Sequence, residues 1–160
     1  MSIDAALGTK IALDCLQFFS CSGERQVATW EIARNKYQLP RLFSGDSKPA
    51  TESDYFIGVG CAFKTYLGFI YDYVLSQHAT ESLEALNHRL SVMMHTESEV
   101  DWSAVSILNE VVWQKLRAEA KNALSTLGIV ASDVAPIFDL ENLIDPTEFR
   151  TSDEVRKLLE

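Results

Sequence analysis

Residues 52–77, ESDYFIGVGCAFKTYLGFIYDYVLSQ, decide how this chain folds. At helical spacing, Phe56, Val59, Phe63, Leu67, Ile70 and Val74 form one apolar seam, and Tyr55, Ala62, Tyr66, Phe69 and Tyr73 form a second beside it. Between the seams runs a stripe of small or polar residues: Asp54, Gly58, Cys61, Thr65, Gly68, Asp72 and Ser76. A helix that is apolar over most of its circumference must be covered on several sides. The expectation is therefore an all-α, single-domain bundle of five to six helices around a central helix at about 52–77. Gly58 and Gly68 each weaken that helix by about 1 kcal/mol relative to alanine, so the stripe is expected to seat a neighbouring backbone at close range. Lys64 lies mid-helix and Asp72 near its end. Each costs roughly 2.5–3.5 kcal/mol at a bilayer centre, which favours a buried core helix over a membrane span.

Working outward, residues 3–19 read as a first helix, with Ile3, Leu7, Ile11 and Phe18 at helical spacing and Ser2 as its N-cap. A second helix spans about 24–38, with Val27, Trp30 and Ile32 as core positions, and Pro40 stops it. Residues 44–51, SGDSKPAT, are rich in turn formers and read as an exposed loop. A fourth helix covers about 81–95, capped by Thr80, with Leu83, Leu86, Leu90 and Met94 turned inward. A long fifth helix covers about 99–127. It buries Val105, Leu108, Val112, Leu116, Ala123 and Leu127 and ends at Gly128, the position where a left-handed residue closes a helix. Lys115, Arg117 and Lys121 sit late in it, as the helix dipole prefers. Beyond it, 129–160 reads as a looser acidic segment divided by Pro136 and Pro146, with short helices near 137–144 and 152–159.

One domain accounts for all 160 residues. Cys15, Cys21 and Cys61 are odd in number and have no CxxC spacing, which points to reduced thiols in a cytoplasmic protein. The first residues lack a basic region ahead of an apolar stretch, so no signal peptide is expected. Net charge is −9 and the pI is about 4.8, which argues against nucleic-acid binding. Residues 24–48 hold five basic against three acidic residues, leaving −11 for the remainder. No nucleophile elbow, phosphate loop, dinucleotide fingerprint or HExxH is present, and no cofactor is expected. These features together favour a non-enzymatic protein-binding chain of inhibitor, immunity or adaptor type. Its acidic helical surface would meet a partner with a basic surface, and a homodimer is a further expectation.

Two other chemistries are legible on the fourth helix. Glu84, His88, Ser91 and His95 fall at i, i+4, i+7 and i+11 and so share a face. A carboxylate and imidazoles one turn apart can hold zinc or iron, so Glu84, His88 and His95 are the metal candidates. A ligand-binding bundle would set Thr65, Asp72 or His88 around an internal cavity. Separately, Arg89-Leu-Ser-Val-Met-Met-His95 has the form Arg-x5-His. These seven residues resemble the motif of the HEPN ribonuclease and nucleotidyltransferase-partner family. The resemblance implies a helical ribonuclease, or an inactive relative, in which Arg89 and His95 of paired subunits act on an RNA phosphodiester. Where that family has a polar residue after the arginine, this chain has Leu90.

Overall fold

The computed structural model describes residues 5–37, 52–72, 76–95, 102–131 and 136. Among them the chain is all-helical: α1 (Ala5–Ser20), α2 (Gly23–Tyr37), α3 (Glu52–Tyr71), α4 (Gln77–His95), α5 (Ala104–Asn109) and α6 (Val111–Thr126). The 44–51 loop, the Pro40 stop and the short helices expected after Pro136 lie outside the described residues. None of the described helices is long and apolar enough to cross a membrane.

Four helices close a ring. α1 packs most extensively on α3 and also on α6, α6 packs on α4, and a sparser α3–α4 seam completes it. α2 and α5 meet each other at one end, against α3 and α6. The centre is shared: Ile11, Cys15, Leu16, Phe18 and Phe19 of α1 are fully buried, as are Tyr55, Phe56, Val59 and Phe63 of α3. Aromatic edges join these layers. Phe18 meets Phe56 at 5.2 Å between ring centroids, Phe56 meets Trp113 at 5.5 Å, and Trp113 meets Trp102 at 5.1 Å. Such tilted pairs add about 0.5–1.5 kcal/mol each beyond their area.

The stripe on α3 behaves differently from the expectation. Gly58, the stripe's glycine in the first half of α3, is buried. Beside the stripe, a Cβ placed on Gly60 would lie 3.3 Å from Met94 Sδ, 3.8 Å from Leu90 and 3.9 Å from Phe19, so side chains of α4 and α1 cover that position. A Cβ on Gly68 would find nothing within 4 Å, and Thr65 and Asp72 are exposed. The stripe therefore seats no neighbour at its C-terminal half. α3 also ends sooner than the sequence suggests. Ser76, not Thr80, caps α4, accepting the Ala79 amide at 3.3 Å, so α4 starts one turn early at Gln77.

The long fifth helix is two helices. Glu110 is extended (φ −80, ψ 146) between α5 and α6. That one residue breaks the helical phase, so a stripe projected backwards from Leu116 lands on the wrong face. Val105 is 71% exposed, while Ser106 and Ile107 are buried in its place. The expected dipole arrangement also fails, because the last turn of α6 holds no basic residue. Two smaller departures from the expected apolar pattern fall on the uninterrupted helices α2 and α4. Ile32 is 49% exposed because α2 buries Gln26, Thr29, Trp30 and Ala33, and a polar residue stands where the pattern sought an apolar one. On α4, Met93 takes the fully buried place and Met94 packs at the edge of the core.

The end of α6 follows the sequence. Gly128 has φ +76, its amide reaches Ser125 O at 3.0 Å, and the Ile129 amide reaches Leu124 O at 2.9 Å. This is the double-bonded Schellman closure.

A buried polar tie holds together the end of the bundle where α2 and α5 meet. Gln26, fully buried, donates its side-chain amide to Phe18 O at 3.0 Å and Phe19 O at 3.2 Å, satisfying carbonyls at the end of α1. Its own oxygen accepts from Arg117 at 3.1 Å, and the same guanidinium nitrogen donates to Ile107 O at 3.0 Å. Residues from α1, α2, α5 and α6 thus share one network. Burial lowers the Arg117 pKa, and Glu24 opposes that shift.

Candidate functional site: the groove between α4 and α6

α4 and α6 run antiparallel, since Ser82 meets Asn122 (3.2 Å) at one end while Arg89 meets Glu119 (2.6 Å) nearer the other. Small and medium residues on their facing edges leave a surface groove of about 510 Å³. Ala85, Val92, Met93 and Val112 supply its apolar lining, and His88, Arg89 and Glu119 its polar part. Val92 is 47% exposed, and Val111, beside Val112 in sequence, is 60% exposed. An open apolar strip beside a charged pair is a surface that another chain can cover.

The Arg89–Glu119 pair crosses the two helices with side chains 31% and 29% exposed. At that exposure its contribution to stability is about 0–1 kcal/mol. The Glu119 hydrogen bond raises the Arg89 pKa, against a smaller opposing effect of desolvation. Arg89 Nε and Glu119 Oε2 are each buried without a hydrogen-bond partner.

The metal candidates read from the sequence follow one exposed face of α4 without converging on a common point. His88 is exposed and lines the groove; Glu84 and His95 are exposed and lie outside its lining. Glu84 sits toward α3, where its charge raises the Tyr71 pKa after the larger effect of burial. Ser91, the fourth member of the expected face, points to α3 instead: Lys64 Nζ bonds both Ser91 Oγ and, at 3.0 Å, Asn87 Oδ1. This contact is complete as a tie between α3 and α4. Among the described residues no group of three or more His, Cys, Asp or Glu side chains comes together to hold a metal. Thr65, Asp72 and His88 are all exposed, so they do not surround an internal cavity.

Arg89 and His95 lie six residues apart on α4, which puts them on different faces of the helix. Arg89 is engaged by Glu119, and His95 is exposed in the last turn. For Arg89 to contact a phosphate, it would first have to leave a carboxylate 2.6 Å away.

Charge is unevenly distributed along the chain, with the acidity concentrated toward the C-terminus. The described residues hold ten acidic and nine basic side chains, so the bundle is close to neutral. Residues 132–160 hold eight acids against three bases. Most of the net −9 therefore belongs to sequence outside the six helices. The cysteines are free, with Cys15 and Cys21 buried and Cys61 half-buried. Burial raises the Cys15 and Cys61 thiol pKa values, Cys15 strongly.

The chain was compared with protein-family models, with curated proteins and with solved structures, and nothing matched in any of the three.

The groove could not be located from the sequence, because its two walls come from residues about thirty positions apart. One signal was available. Arg89 falls three residues after Leu86 and four before Met93, at the margin of the apolar stripe. A charge at such a margin calls for a partner on the facing helix.

Proposed function

We propose that this chain is a non-enzymatic, cytoplasmic protein-binding module of inhibitor, immunity or adaptor type, and that its partner docks along the α4–α6 groove. The observation that carries the reading is the groove itself: an apolar strip of Ala85, Val92, Met93 and Val112 beside the Arg89–Glu119 pair. Pockets for interface anchors combine this kind of apolar floor with a few fixed polar groups. The acidity of residues 132–160 supports a partner with a basic surface, since a net charge of −9 accelerates encounter with a positive surface. Three free thiols, two of them buried, support a reducing compartment.

Capture from the native host tests the reading. Tagged wild-type chain and Val92→Glu are compared at low and high salt, with the unfolding midpoint of each measured. A partner retained by the wild type and lost by Val92→Glu, at an unchanged midpoint, is the expected result. Equal capture by both proteins, or no partner at either salt concentration, would overturn the proposal.

A further inference from the structure

We draw no further inference here: the strongest candidate, the apolar groove between α4 and α6, belongs to the site already described, and nothing in the structure shows what covers it.

Discussion

Two glycines make opposite predictions for one substitution. Gly68→Ala places a methyl group where nothing lies within 4 Å. The exposed helical position then gains helix propensity alone, about 0.8–1 kcal/mol. For a chain of this size that is a rise in midpoint of roughly 2–4 °C. Gly8→Ala places the same methyl 2.5 Å from Phe69 Cδ2 and 2.7 Å from Cε2. Contact at an ordinary carbon–carbon separation requires the ring to retreat by roughly 1 Å. The ring is not free to swing away, because it is part-buried against the core and stacked on Tyr66 at 6.3 Å between centroids. Overpacking of this kind costs about 1–3 kcal/mol, from which the same propensity gain of about 1 kcal/mol is subtracted. The net expectation for Gly8→Ala is a loss of about 0–2 kcal/mol, against the gain for Gly68→Ala. Urea unfolding followed by circular dichroism measures both, with unchanged slopes confirming comparable transitions. A double-mutant cycle assigns the cause: in a Phe69→Ala background the penalty at Gly8 should vanish. The reasoning fails if Gly68→Ala destabilises, since that would place a neighbour against the stripe. It fails equally if the cost at Gly8 survives without the Phe69 ring.

Other perturbations test the remaining parts. Gln26→Leu keeps the volume but strands the Phe18 and Phe19 carbonyls and a bonding partner of Arg117. It should cost about 2–4 kcal/mol, and a loss below about 1 kcal/mol would mean that the network is dispensable. Burial raises the Asp14 pKa from its ordinary 3.8, partly offset by Lys10. The folded chain therefore holds this proton more tightly than the unfolded chain, and the charged carboxylate opposes folding once pH rises through the ordinary and then the raised value. Asp14→Asn should accordingly stabilise at neutral pH and lose that advantage below about pH 3; a gain that is the same at both pH values would rule out this linkage. A thiol reagent should modify Cys61 in the native chain and reach Cys15 and Cys21 only in denaturant, given their burial. Equal rates for all three without denaturant would contradict the packing of α1.

The helices were legible where local periodicity and tertiary burial agreed. α1, α3 and α4 carry large apolar residues at helical spacing, and Gly128 closes α6 as its position suggests. Reading failed where a single residue changed the phase. Glu110 carries no side-chain cap and is flanked by Asn109 and Val111, so nothing in its neighbourhood marks it as a helix break. The buried polar face of α2 misled the pattern for a related reason. Gln26 is buried because the α1 carbonyls and Arg117, ninety-one residues further on, satisfy it there. The groove residues shared this difficulty, since Arg89 finds Glu119 across thirty residues.

The small-residue stripe of residues 52–77 divides the two kinds of information. The sequence by itself determined that α3 is a buried helix, because its two apolar seams leave too little polar surface to face water. It also determined that Gly58, Cys61, Thr65, Gly68 and Asp72 line up along one edge. Which part of that edge is covered was decided only in the tertiary structure. Gly58, in the first half of α3, is buried, whereas Thr65, Gly68 and Asp72 are left exposed. The physical reason is that spacing along a helix fixes the direction of a side chain, whereas the approach of a neighbour depends on the packing of every other helix in the ring.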